Sequence, residues 1–337
     1  MRTINIFAML IAVLMLAAGA QAQTQSAYAI WTEGNKTLTF LVSVLNYYPG
    51  DQYGRERITK VWKGDAVLYT PTDDTAPWCS TVRSKLAHVV FDPSFALARP
   101  HSTAWWFENY SDSQKADADG EPLKSIYGLE YLNTSEVTSM YSMFYGCSGL
   151  TELDISHFDT RKVTNMSWMF AGCRGIPYID VSNFETSQVE NMAFMFQGCW
   201  QLHTLDVSRF KTDKVHDMSY MFSDCYSLRR LDVSNFSTAK VTDMSNMFSF
   251  CSMLSELDVS KFKTGEVTDM SWMFACCSGL SLLDVKRFNT ANVTDMNNMF
   301  AGCKHLIYID ISRFYTPGRC DRDNMFEGCE ELIIKSN

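Results

Sequence analysis

Three kinds of side chain recur in this chain at a spacing that could do chemistry. Aromatic residues stand at Trp168, Phe194, Tyr220 and Trp272, and Trp200 and Tyr226 follow two of them by six residues. Rings set 26 residues apart, in a chain that repeats with that period, would lie one above another and could hold a partner by apolar contact and stacking. Aspartates stand on the same period at Asp154, Asp180, Asp206, Asp232, Asp258, Asp284 and Asp310. Carboxylates about 5 Å apart repel by roughly 0.8 kcal/mol per pair even at water's dielectric. Hydrogen bonds from turn amides, or from the serine two residues on, would offset this. A ladder of calcium ions is the alternative, because oxygen ligands would line up rung by rung. Beside this column runs another, His157, Asn183, Arg209, Asn235, Lys261, Arg287 and Arg313, which contains no acid.

Cysteine supplies the third column, at Cys147, Cys173, Cys199, Cys225, Cys251, Cys277, Cys303 and Cys329, with Cys79, Cys276 and Cys320 outside it. One thiol per rung does not give the converging ligands a metal needs. The column reads as small apolar packing groups. Parallel Cβ directions oppose disulfides between rungs, Cys276 beside Cys277 being the exception. No metal and no cofactor is expected. Nor does catalysis find a foothold. The histidines, His88, His101, His157, His203, His216 and His305, lack metal-ligand spacing. H-E-x-x-H, G-x-S-x-G and phosphate-cradling glycine loops are absent from the sequence. The acids repeat uniformly, whereas a pair cleaving glycans would break the repeat.

The element that must position these columns is a 26-residue unit, V-T-x-M-S-x-M-F-x-x-C-x-x-L-x-x-L-D-[VI]-S-x-F-x-T-x-x, present in eight copies. Its first valine falls at Val137, Val163, Val189, Val215, Val241, Val267 and Val293. Numbered from that valine, apolar residues at positions 4, 7, 8 and 11 (Met166, Met169, Phe170, Cys173) have the spacing of one helix face. The helix would be about two turns, too short to stand alone. Threonine at position 2 and Asp or Asn at position 3 suit its start, and glycine at position 10 its exit. Leu202, Leu205 and Val207 at positions 14, 17 and 19 read as a strand, and Phe210 at position 22 turns back into the core. The expected fold is an α/β solenoid, a leucine-rich-repeat stack of short-helix and strand units with a parallel sheet. Position 6 lies off the apolar helix face, so Trp168, Phe194 and Tyr220 would form an outward ladder with Trp200 and Tyr226 beside it. The alternative is that the rings pack on one another and merely cover the helices.

Around the stack the chain divides into residues 1–22, 23–87, 88–136 and 137–337. Arg2, the apolar run Ile6 to Gly19 and Ala20-Gln21-Ala22 form a secretory signal peptide. About 14 apolar residues are too few to span a bilayer. Residues 23–87 carry no repeat, and Glu33-Gly34-Asn35 between two β-rich runs signals a hairpin in a small β-rich cap. Residues 88–136 hold a degenerate first repeat with a polar insert, Ser111 to Glu121. There Asp117-Ala118-Asp119-Gly120 resembles part of a calcium loop but lacks its first and last ligands. In the last copy Arg319 and Arg322 replace core residues, as an end cap requires. The net charge of −9, with no basic run, argues against nucleic acid as a partner.

The unit, together with Val90-Phe91-Asp92-Pro93-Ser94-Phe95 and Gly128-Leu129-Glu130-Tyr131-Leu132-Asn133-Thr134, resembles the BspA-like leucine-rich-repeat surface proteins of bacteria. The resemblance spans about residues 88 to 332. It implies an exported or surface-displayed protein, and in some members adhesion to host matrix proteins or other cells. The expectation is a secreted or cell-surface binding protein with an extracellular protein partner, a glycan being second. It would not be an enzyme and would have no membrane span beyond the signal peptide. A structural surface or matrix component without a specific ligand is the alternative, and a glycan-cleaving protein is third.

Overall fold

The computed structural model describes residues 24–69, 76–109, 122–316, 318 and 320–336. The signal peptide, the polar insert Ser111 to Glu121 with its calcium-loop-like segment, and Arg319 lie outside the described residues. No helix among the described residues is long and apolar enough to cross a membrane.

At the N-terminal side, β1 (Ser26–Thr32) and β2 (Thr37–Ser43) form an antiparallel hairpin around Glu33-Gly34-Asn35. A two-stranded ribbon follows, β3 (Gln52–Tyr53) with β4 (Glu56–Arg57). β5 (Lys60–Lys63) pairs antiparallel with the outer edge of β1. β6 (His88–Phe91) then joins β2 in parallel and β7 (Ser125–Tyr127) joins β6 in parallel, giving the order β5-β1-β2-β6-β7. The switch to parallel pairing is where the repeats begin, because a rung returning in the same direction can only pair in parallel. Phe40, Phe91, Phe95, Trp78 and Trp106 fill the space under this sheet; Phe40 stacks on Phe91 at 4.8 Å and on Trp106 at 5.1 Å.

The repeats do not fold as the spacing predicts. Among the described residues no rung contains an α-helix, and the 4-7-8-11 segment is a run of turns. The α/β solenoid of helix and strand units is therefore corrected to a stack of turn-rich coils. The reason lies in the backbone. Positions 6 and 10 are left-handed in every copy, for example Trp168 at φ 61° and Gly172 at φ 73°, which interrupts a right-handed helix every four residues. The amides of Met166, Trp168, Phe170 and Gly172 donate to carbonyls of the next rung: Asn191, Ala193, Met195 and Gln197, at 3.1, 2.9, 2.9 and 2.7 Å. The intervening amides close four-residue turns, as Met169 does on Met166. A lone two-turn helix is unstable, and this arrangement satisfies the same groups by tying each rung to its neighbour. Asn165 and Asp217 at position 3 accept from the amide two residues on, so they close turns instead of capping helices.

The continuous parallel sheet is also missing. Position 16 contributes isolated bridges such as Tyr178 to Thr204 and Thr204 to Arg230, and among the described residues of the 26-residue copies a regular ladder forms only between β8 (Tyr308–Asp310) and β9 (Ile333–Lys335). Inward direction was nonetheless legible. Met166, Met169, Phe170, Cys173, Leu202, Val207 and Phe210 are all buried. Phenylalanines of position 8 stack from Phe144 to Phe326 with ring centroids 5.4 to 5.9 Å apart. One apolar core runs from beneath the N-terminal sheet to Met325.

Candidate functional site

A threonine at position 24 fixes one rung on the next. Thr212 Oγ1 donates to the Ser237 carbonyl at 3.0 Å and accepts from the Ser237 amide at 2.8 Å. The same clasp recurs from Thr134 to Thr290. This anchoring holds equivalent positions of successive rungs in register, which is what aligns the columns.

Position 6 then brings three predicted residues together. Trp168 stacks on Phe194 at 3.9 Å and 9°, and Phe194 on Tyr220 at 4.4 Å and 8°. All three are half-buried, with Tyr145 edge-on against Trp168 at 5.2 Å. The faces are covered by one another, and the ring edges form the outer surface. Left-handed φ values of 61°, 60° and 55° are costly for bulky side chains, of order 1–2 kcal/mol each. Asn246, Asn298 and Asn324 occupy the same position in other copies, and asparagine tolerates it best. Ring stacking, worth about 0.5–1.5 kcal/mol per pair, offsets part of that strain. Trp272 does not join the ladder, because Asn246 fills the rung between it and Tyr220.

Trp200 and Tyr226 form a second cluster. They are 40% and 37% exposed, with centroids 6.0 Å apart. The Arg174 guanidinium lies 4.0 Å over the Trp200 ring, and Tyr226 Oη donates to Asp224 at 2.8 Å. Hydrogen bonding to Asp224 and, foremost, burial push the Tyr226 phenol up to about 12. Positions 6 to 12 thus present an aromatic edge with one cation and one carboxylate, a composition typical of binding surfaces. Arg174 escaped the sequence reading because position 12 varies without pattern.

The aspartate column answers its own repulsion. Asp154 accepts from the Ser156 amide at 3.0 Å and its hydroxyl at 2.7 Å, and Asp180, Asp206, Asp232 and Asp258 accept from the corresponding serine amides. The serine hydroxyls hold these carboxyls below the usual range. Asp310 falls to about 2, through Ser312 first and Lys335 second. Among the described residues no three His, Cys, Asp or Glu side chains converge as a metal would require. All column cysteines are free thiols that donate to the position-8 carbonyl of the preceding rung, Cys199 to Phe170 at 3.3 Å. Burial pushes Cys199 and Cys251 up to about 12.

Two shallow grooves flank the strand-like edge. One, of about 610 Å³, is lined by Glu130, Glu152, Asp154, Asp180, Leu153 and Tyr178 in the first rungs. The other, of about 390 Å³, lies between Lys261 and Asn289.

Comparison with known proteins places three overlapping stretches, residues 123–231, 177–258 and 227–336, on one family model, described as "Mycoplasma protein of unknown function, DUF285". No curated protein and no solved structure matches the chain.

Proposed function

The chain belongs to the DUF285 family, and from that premise we propose that it is an exported or surface-associated protein that binds an extracellular protein through the aromatic edge of its coil stack. One observation carries the reading. Consecutive rungs place Trp168, Phe194 and Tyr220 at a backbone position that disfavours them and that asparagine fills elsewhere. Bulky rings kept at this position in three successive rungs support a role beyond folding. The neighbouring pair Trp200 and Tyr226, with Arg174, extends the same edge, and Trp, Tyr and Arg are the residues that dominate binding surfaces. Export rests on the leader pattern of residues 1–22, and the repeat's resemblance to BspA-like surface proteins agrees with it.

Binding rather than turnover is proposed because the acids of the repeat are engaged by their own turns. A structural component without a ligand is the second reading, favoured by the rings covering one another at 3.9 and 4.4 Å. The test is binding of residues 23–337 to immobilised extracellular matrix proteins and neutral glycans. Saturable binding to a protein is expected. Ordered self-association with no ligand bound would transfer the assignment to the structural reading.

A further inference from the structure

The later rungs carry a cationic corner that the aromatic edge does not use. Its groove is lined by Ser260, Lys261, Lys263, Gly265, Arg287 and Asn289. In the early rungs Lys211, the counterpart of Lys263, pairs with Glu185 at 2.9 Å, and further along the same turn Arg161 pairs with Asp159 at 2.5 Å and Lys162 with Glu136 at 2.6 Å. Among the described residues no such ion pair involves Lys261, Lys263, Lys286, Arg287 or Arg313. The sequence explains the change. Position 23 runs Asp159, Glu185, Lys211, Ser237, Lys263, Asn289, Tyr315, so its acids stop before the corner begins. Carboxylates of position 18 act on this corner, and Glu266 follows the groove residue Gly265 in the chain. Lys261 feels Asp232 and Asp258, but Asp258 and Asp284 accept from the amides of Ser260 and Lys286 at 2.9 and 3.1 Å.

We infer that this corner binds a linear polyanionic glycan, one with carboxylates or sulfates on successive sugars. Rungs repeat at about 4.8 Å, so Lys261, Arg287 and Arg313 form a row of about 10 Å. That row is longer than a single small anion and suits a chain of repeated charge. Stacked like charges repel, and a polyanion relieves the repulsion. Asn289 offers its side-chain amide to sugar hydroxyls, and the Ser260 hydroxyl, held by Asp258, offers an acceptor; the exposed Tyr315 comes next after Asn289 in the position-23 column. Single-stranded nucleic acid would need successive stacking platforms, and the one aromatic ring in the lining, Phe262, is buried.

Gly265 allows shape to be separated from charge. A Cβ there meets only Asn289 Nδ2 at 3.5 Å, ordinary contact, so Gly265→Phe fills the groove with its cations intact. Heparin, polygalacturonate and single-stranded DNA would be titrated into the protein at several salt concentrations. Heparin or polygalacturonate binding that weakens with salt is expected, falling about tenfold or more in Lys261→Gln/Lys263→Gln/Arg287→Gln and also in Gly265→Phe. The charge-matched control Lys162→Gln/Lys214→Gln/Lys240→Gln should stay within about twofold, as should replacement of the position-6 rings. No binding of either glycan, equal loss in the control, or DNA binding as tight as glycan binding would overturn the assignment.

Discussion

Thiols show how fully a repeat can hide reactive groups. Each column cysteine from Cys147 to Cys303 is enclosed by its own rung and the one before, whereas Cys329 in the last copy is half-buried, and burial raises the enclosed thiols away from the thiolate form that reacts. Cys276 and Cys320 are half-buried. We expect iodoacetamide at pH 8 to modify Cys276 and Cys320 first in the native protein, with the column cysteines from Cys147 to Cys303 reacting only on unfolding. Peptide mass spectrometry would check this, and early labelling of Cys199 or Cys225 would contradict the packing described. At this scale the sequence was readable: one residue type at one position of a repeat means one packing role. The left-handed position 6 was harder to read, because its occupants range from Ser142 to Trp168 and share a backbone angle, not a chemistry; its asparagines are the one sign of it.

At the scale of the element, the 26-residue unit misleads in an instructive way. The 4-7-8-11 spacing specifies which side chains turn inward, and those side chains are buried. A helix is one backbone that satisfies such a pattern, but the pattern does not require it. Asn246, Asn298 and Asn324 at position 6, with glycine at position 10 in five copies, carried the warning, since both types favour left-handed turns. Threonine fills position 24 in seven successive copies, but its spacing alone assigns it no role. The clasp gives that invariance a cause. Thr212→Val would leave the buried bonds to Ser237 unmade at both amide and carbonyl, and we expect a loss of about 1–3 kcal/mol of stability. Chemical denaturation would measure it; a change under about 0.5 kcal/mol would show that the clasp is incidental.

Taken as a whole, the molecule is a sheet-capped stack whose stability should depend on its aspartates. Serine hydrogen bonds lower the pKa of Asp154, Asp180, Asp206, Asp232, Asp258 and Asp310 in the fold. A lowered carboxyl stabilises above its unfolded pKa, about 3.9, and that contribution is lost as pH falls through the folded value. His157, lowered by burial, adds a smaller loss below about pH 6.5, and Glu108, raised by burial, acts in the opposite sense. Thermal melting should therefore fall most steeply below about pH 4. A melting temperature unchanged down to pH 3 would contradict the role given to the column.

The functional account turns on whether the aromatic edge is a binding face or a self-contained stack. Asparagine, which the repeat itself places at position 6, is the discriminating replacement. Trp168→Asn/Phe194→Asn/Tyr220→Asn relieves backbone strain while removing the rings, so the fold should survive, as circular dichroism would report. The measurement is the Kd of native and triple-variant protein for whichever matrix protein binds saturably. The account predicts a loss of about a hundredfold or more in a folded variant. Equal affinity in both proteins would show that Trp168, Phe194 and Tyr220 serve the stack alone, and would contradict the claim.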